Sequence, residues 1–215
     1  ARNKNMSMDP PDPPPGSTSD PGIISLHGVF LALRLPRPPQ EERPKETCRP
    51  SLGVLILGSA GIGKSELALD LVSRGHALVA DDSPVLIQQA DGRWLGRCLF
   101  PLQDFLEVRG LGILNIRRLF GDRAICAEHP LDLVIRLEDA PSRPEDRLAG
   151  AWRDYRLGGH AVPELPLTVR GGRNLALLVE TAARLRACGA GEGIGYNAGQ
   201  ELSRRLEEHL GKESL

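Results

Sequence analysis

The apolar positions of this 215-residue chain fall into short runs that are separated by turn signals. The run over 23–35 can hold one strand or two short ones, and the run from Gly53 to Leu57 is typical of a buried strand. From Lys64 to about Arg74, apolar residues recur at helical spacing, and the next residue, Gly75, is a typical helix stop. The pattern therefore predicts strand, loop and helix in succession.

The second half of the chain alternates in the same way. Apolar runs predict further strands over 77–80, 85–87, 126–137 and 165–169. The stretch 103–108 is interpreted as a short helix or turn. Asn174 can cap a helix that follows it, and a last helix is predicted from about Asn197. This order predicts an α/β fold with helices at its C-terminal end.

Two segments interrupt the pattern. Residues 1–22 are rich in Pro, Asp, Ser and Gly, which predicts a disordered tail. Residues 36–51 are charged and punctuated by prolines, which predicts an exposed, inserted loop. A single folded domain is expected over 23–211.

Composition narrows the class of partner. The hydrophobic fraction of 40% and the charged fraction of 26% are typical of a soluble globular protein. The net charge of -1 gives no reason to expect a nucleic-acid or membrane partner. The four scattered cysteines argue against a zinc site or a disulfide framework, and they favour a reducing, cytoplasmic location.

The most specific motif is a glycine-rich loop between the predicted strand and helix. It reads Gly58-Ser59-Ala60-Gly61-Ile62-Gly63-Lys64-Ser65 and matches G-x-x-x-x-G-K-[ST]. In such a loop the backbone N–H groups and the helix dipole face one phosphate group. Lys64 is expected to reach the β- and γ-phosphates, and the Ser65 hydroxyl to bind Mg²⁺. The motif predicts a nucleoside triphosphate ligand and leaves the reaction open.

Charged residues near turns are the other candidates for chemistry. Asp81 and Asp82 end the strand after the loop's helix, where a carboxylate can hold Mg²⁺ or accept a proton from an attacking hydroxyl. Glu107 can bind metal and Arg109 can bind phosphate, although a surface ion pair explains them equally well.

Two further positions are less specific. Arg170 and Arg173 flank a glycine turn before a helix, where they can bind an anion or lie in an ordinary loop. His27 stands in an apolar stretch, and on the residues alone a structural role is the more typical one.

These pieces occur together, and in this order, in one family. The chain resembles the catalytic domain of HPr kinase/phosphorylase over about residues 23–211. The most specific match is the stretch from Leu106 to Asn115, Leu-Glu-Val-Arg-Gly-Leu-Gly-Ile-Leu-Asn. The other matching segments are 27–29, the loop itself, 74–76, 79–82, 146–148, 169–175 and 196–198.

The resemblance implies a P-loop kinase fold and an ATP- and Mg²⁺-dependent kinase acting on a serine of the phosphocarrier protein HPr. It implies that Ser65 and Glu107 ligate Mg²⁺ while Lys64 holds phosphates. Asp82 would take the proton from the attacking serine, and would return a proton to the serine oxygen when inorganic phosphate attacks in the reverse reaction.

The resemblance also implies roles for more distant positions. His27 and Arg147 match family active-site positions, and the segment 168–173 matches the region linked to dephosphorylation. The family's partners are HPr and inorganic phosphate or pyrophosphate, its members regulate the bacterial phosphotransferase system, and its assembly is a homo-hexamer.

Two other functions stay open. A non-catalytic nucleotide-binding regulatory module is favoured by Ser59 and Ala60, which differ from the residues usual in the family's loop. A small-molecule kinase would need a lid of arginines over the phosphates, and no segment is clearly of that kind.

Overall fold

A computed structural model describes residues 22–35, 51–140, 152–188 and Arg205. The strands are β1 (Ile23–Ser25), β2 (Val29–Arg34), β3 (Ser51–Leu57), β4 (Ala77–Ala80), β5 (Val85–Gln88), β6 (Trp94–Arg97), β7 (Phe105–Val108), β8 (Gly112–Asn115), β9 (Glu128–Glu138), β10 (Arg153–Leu157) and β11 (His160–Thr168). The helices are α1 (Lys64–Ser73), α2 (Ile116–Phe120) and α3 (Leu175–Cys188), with a 3-10 turn at Asp122–Ala124. Within these ranges no helix has the length and apolar character that a membrane crossing needs.

The large sheet is mixed. Its order is β1-β5-β6-β9-β3-β2-β4, and β11 also pairs with β9 and carries β10 at its far edge. β3, β9 and β11 are parallel, and β4 runs the same way because both it and β3 are antiparallel to β2. The carboxyl ends of β3, β4, β9 and β11 and the amino end of β2 therefore lie at the same end of the sheet. This row of strand ends, which is not an outer strand, is called here the site edge.

Two apolar layers cover the sheet. One face packs against α1 and α3 through a core that includes Ile56, Leu71 and Val179. On the other face, β5 and β6 fold back over β2, so that Leu86 and Trp94 share a core with Phe30 and the Phe30 ring packs against Gly96. The α/β class predicted from the sequence is confirmed. The sheet is mixed because β2, β6 and β10 run antiparallel to their neighbours.

The helix ends follow local signals in the sequence. α1 begins after Gly63, whose φ of +102° suits a residue without a Cβ. It ends before Gly75, whose φ is +97° and whose N–H donates to the Val72 carbonyl. At the start of α3, the Asn174 side chain accepts a hydrogen bond from the Leu177 N–H at 3.0 Å, which confirms the helix cap predicted from the sequence.

Several elements differ from the sequence prediction. The stretch 103–108 was predicted as a helix or turn, but residues 105–108 form β7, because Leu106 and Val108 are buried while the residues between them are exposed. β6, β8, β10 and α2 were not predicted as separate elements. Ser51, assigned to the inserted loop, is the first residue of β3. Arg147, the rest of that loop, residues 1–21 and the last helix from about Asn197 lie outside the described residues.

A buried histidine ties the sheet edge opposite the site to α3. His76 Nδ1 accepts the Arg34 backbone N–H at 3.1 Å, and its Nε2 lies 3.1 Å from Glu180 Oε1. Burial lowers the pKa of His76, and the neighbouring Glu180 carboxylate opposes that shift while the Arg34 and Arg184 charges add to it. The folded protein therefore favours a neutral His76 more than the unfolded chain does.

We expect this histidine to make stability depend on pH. Since its pKa is lower in the folded state, its contribution is complete above the unfolded value of about 6.5 and is lost as the pH falls through the folded value. Urea unfolding at about pH 8 and about pH 5 measures the difference. His76→Gln should lose less stability than the wild type between the two conditions, and an equal loss in both proteins would contradict the assignment.

Candidate active site

The phosphate loop, Gly58–Ser65, joins β3 to α1 at the site edge. Its first glycine, Gly58, has a φ of +149°, and a Cβ there would lie 2.8 Å from the Leu137 carbonyl oxygen. A side chain would therefore push the loop away from β9. This close approach explains, in physical terms, why the loop begins with glycine.

Lys64 is held inside its own loop. Its Nζ donates to the carbonyl oxygens of Gly58 at 3.0 Å and Ser59 at 3.1 Å, and it lies 3.3 Å from His27 Nε2. Only 7% of the residue is exposed. Burial lowers the pKa of Lys64, although the nearby acids, Asp82 foremost, act to raise it. A partly desolvated ammonium of this kind favours an anion, and a phosphate would supply one.

His27 connects Lys64 to Asp82. His27 Nδ1 lies 2.9 Å from Asp82 Oδ1, and both side chains are more than half exposed. Because Lys64 can only donate, His27 Nε2 accepts from it, which leaves the ring proton on Nδ1 facing the carboxylate. The antiparallel β2 starts at the site edge, and this brings His27 beside a residue 55 positions later. The Gly28 N–H also donates to the Asp82 carbonyl at 3.2 Å.

Asp81 forms a second connection, which sequence reasoning missed. Its Oδ2 accepts the Glu107 backbone N–H at 2.9 Å, and its Oδ1 lies 3.5 Å from the Ser65 hydroxyl that donates to it. Burial raises the pKa of Asp81, and the hydrogen bonds from Glu107 and Ser65 oppose this. The pair of acids at the strand end was recognised in the sequence, but only Asp82 was given a specific role, and the contacts of Asp81 with Glu107 and Ser65 were not foreseen.

Glu107 and Arg109 lie on the exposed face of the β7–β8 hairpin, opposite the buried Leu106 and Val108. The Arg109 guanidinium rests against the phosphate loop, because a Cβ on Gly61 would lie 3.1 Å from Arg109 Nη2. The hairpin therefore places an acid and an arginine next to the loop.

Arg170 and Arg173 follow the carboxyl end of β11, at the same site edge. The Arg173 N–H donates to the Arg170 carbonyl at 3.2 Å, and its guanidinium reaches the Thr168 carbonyl at 3.4 Å. These hydrogen bonds stay within the turn itself and the last residue of β11.

Hard oxygen donors are available for a divalent cation. The Ser65 hydroxyl, the Asp81 carboxylate and the exposed Glu107 are of the type that Mg²⁺ prefers, and Mg²⁺ at nucleotide sites usually takes only one or two protein ligands besides phosphate and water. No ready-made cluster of three or more His, Cys, Asp or Glu side chains occurs in the described part of the chain. The donor set fits a cation that arrives with a nucleotide.

The fold is α/β, with a mixed sheet and a glycine-rich loop between β3 and α1, and charged side chains next to β2 and β4 and on β7 meet beside that loop. Residues 50–206 match the family model "HPr Serine kinase C-terminal domain". The chain belongs to this family, which confirms the resemblance recognised in the sequence.

Individual relatives agree with this assignment. HPr kinase/phosphorylase of Xanthomonas campestris pv. campestris (strain B100) is 44% identical over 166 residues, and the same holds for that of Xanthomonas oryzae pv. oryzae (strain PXO99A). The match covers 75% of this chain and 48% of each relative, so the chain spans about half the length of the curated relatives it matches. The solved HPr(Ser) kinase/phosphatase of Coxiella burnetii is 30% identical, with a TM-score of 0.62, and the match covers 89% of this chain and 96% of that one.

Proposed function

We propose that this chain is an ATP- and Mg²⁺-dependent kinase that phosphorylates a serine of an HPr-type phosphocarrier protein. The observation that carries the proposal is the Asp82–His27–Lys64 chain of contacts at 2.9 and 3.3 Å. It joins a carboxylate that can accept a proton to the lysine of a phosphate loop. The names of the relatives support the choice of HPr as the acceptor.

In the forward direction, the serine oxygen would attack the γ-phosphorus of ATP as its proton passes to Asp82, and ADP would leave. Lys64 and the loop amides would stabilise the negative charge on the transferred group. In the reverse direction, inorganic phosphate would attack phosphoserine, and protonated Asp82 would return the proton to the serine oxygen, which releases pyrophosphate. Mg²⁺ bound by Ser65 and Glu107 would neutralise phosphate charge, and Arg109 would bind a phosphate oxygen.

An apolar surface beside the site favours a protein acceptor. Apart from Ile23 and Leu177, the exposed large apolar side chains of the described residues lie between Leu99 and Phe120. Phe100 is 87% exposed, and Ile113 stands directly opposite Glu107 in the β7–β8 hairpin. A sugar or small acid would leave most of these apolar side chains in water, whereas a folded protein that docks beside the phosphate loop would bury them.

The role in bacterial phosphotransferase regulation, the contribution of Arg147, and assembly into a homo-hexamer are part of the same proposal. They rest on membership of the family.

The test is a panel of acceptors incubated with γ-labelled ATP and Mg²⁺. We expect label on HPr and none on sugars or small acids. Phe100→Ser should raise KM for HPr about 10-fold, since exposed aromatic residues are often the strongest anchors of an interface, and should leave KM for ATP unchanged. Ile23→Ser is the matched control, because Ile23 is also an exposed apolar residue but lies on β1. Label on a small molecule alone would refute the protein acceptor, and nucleotide binding without any transfer would favour the regulatory module.

A further inference from the structure

A cluster of charges around one buried carboxylate lies on the sheet face away from α1 and α3, with the two arginine side chains about one-third exposed. Glu164 of β11 is only 3% exposed. Its Oε1 is 2.5 Å from Arg136 Nε, and its Oε2 is 2.5 Å from Arg153 Nε. Arg153 Nη2 also lies 3.2 Å from Glu138 Oε1. These four residues, Arg136, Glu138, Arg153 and Glu164, are called here the β9–β11 ion cluster.

Stability alone is a weak explanation for this cluster. Removing the Glu164 carboxylate and part of two arginine side chains from water is costly, and well-packed apolar residues of similar volume are often at least as stabilising. Two charge-assisted bonds from one carboxylate do fix geometry, because each arginine fork has a preferred direction. The Arg136 guanidinium is further restrained over the Tyr155 ring, 5.7 Å from its centroid. The cluster is therefore suited to holding three strands in one relation.

The strands it joins end at two parts of the active site. Arg136 pairs with Leu57, the residue immediately before the phosphate loop. Two residues further along β9, Glu138 pairs with Thr168, and its carbonyl accepts the Val169 N–H at 2.8 Å. The next residue after Val169 begins the Arg170–Arg173 turn. The cluster is thus connected through Arg136 to the strand residue before the phosphate loop, and through Glu138 to the strand residues before the arginine turn.

We propose that Glu164 is a positioning residue that sets the spacing between the phosphate loop and the Arg170–Arg173 turn. By binding Arg136 of β9 and Arg153 of the β10–β11 hairpin with its two oxygens, it fixes β11 laterally against β9. The turn then keeps its place relative to the phosphates that the loop holds. This inference rests on the proposed function for its effect on turnover, and on the fold alone for its effect on geometry.

The test compares two largely buried acids, each with a cationic or histidine partner. Glu164→Gln keeps the shape of the side chain and removes its charge, and Glu180→Gln does the same to the partner of His76 at the opposite edge of the sheet. Both variants should lower Tm. Only Glu164→Gln should lower kcat, by about 10- to 100-fold, because small displacements of positioned groups are costly to transfer, with the Kd for ATP within about threefold of wild type.

A second variant guards against misfolding. Loss of one partner of a buried carboxylate can be strongly destabilising, so Arg136→Lys is tested beside Glu164→Gln. Arg136→Lys keeps the positive charge and loses the planar fork. We expect Arg136→Lys to lower kcat in the same direction with a smaller loss of Tm.

A readout that does not depend on activity separates this inference from the proposed function. The backbone amide ¹⁵N–¹H shifts of Gly58 and Arg173 should both move in Arg136→Lys and in Glu164→Gln, and neither should move in Glu180→Gln. If those amides stay unchanged and kcat per folded molecule equals that of wild type, Glu164 is a stabilising residue only. If the wild type transfers no phosphoryl group, the proposed function fails, and the amide shifts still decide the positioning role.

Discussion

Asp82→Asn should abolish phosphoryl transfer while ATP still binds. An amide cannot take the proton of the attacking serine, and loss of a general base typically costs about 10²- to 10⁴-fold in rate. The substitution should leave the fold intact because the Asp82 side chain is 71% exposed. Its backbone φ of +62° is also one that asparagine adopts readily. Single-turnover transfer to HPr gives the rate, and calorimetric titration gives the Kd for ATP.

Asp91→Asn is the matched control, since Asp91 is an exposed acid in the β5–β6 turn. It should keep wild-type activity. If Asp82→Asn retained full transfer to HPr, another group would be the base and the assignment of Asp82 would be wrong.

Lys64→Met should weaken nucleotide binding itself, whereas Asp82→Asn should leave binding intact and stop transfer. The ammonium is the buried charge closest to the loop carbonyls, and we expect its removal to weaken ATP binding at least about 100-fold, which corresponds to roughly 2.7 kcal/mol. The effect on turnover then follows from binding, whereas that of Asp82→Asn does not. Titration with a non-hydrolysable ATP analogue measures it directly.

The stability of the nucleotide-free protein gives an independent readout for Lys64. Burial lowers the pKa of Lys64, so keeping its ammonium charged costs the folded protein free energy relative to the unfolded chain. This cost is present at neutral pH and disappears only above the pKa of the unfolded chain. The hydrogen bonds lost in Lys64→Met are offset by removal of this cost, and Tm should change little.

Lys64→Arg should bind ATP with intermediate affinity, because it keeps the charge in a different geometry. Unaltered ATP affinity in Lys64→Met would exclude this loop as the phosphate site.

Local features of the fold were predictable from the sequence, and long-range pairings were not. The phosphate loop is a contiguous motif between a buried strand and an amphipathic helix, so its place could be inferred from eight residues and their flanks. β7 was misassigned because only four residues carry its period-two pattern. Its partner β8 is equally short, with one glycine, two apolar residues and an asparagine, and gave no separate signal.

The site shows the same limit. His27 could be placed there only through the family resemblance, because its contact with Asp82 depends on β2 running antiparallel between β3 and β4. The bridging role of Asp81 depends on the β7–β8 hairpin meeting β4, and no local pattern encodes that meeting. The β9–β11 ion cluster likewise joins residues up to 28 positions apart on three strands.

The most direct test of the central claim is intact-mass and peptide mass spectrometry of HPr after incubation with this chain, ATP and Mg²⁺. We expect one phosphoryl group on one serine of HPr with the wild-type protein, and none with Asp82→Asn at the same ATP occupancy. HPr that remains unmodified while the wild-type chain binds ATP and Mg²⁺ would contradict the assignment of this site as a protein-serine kinase.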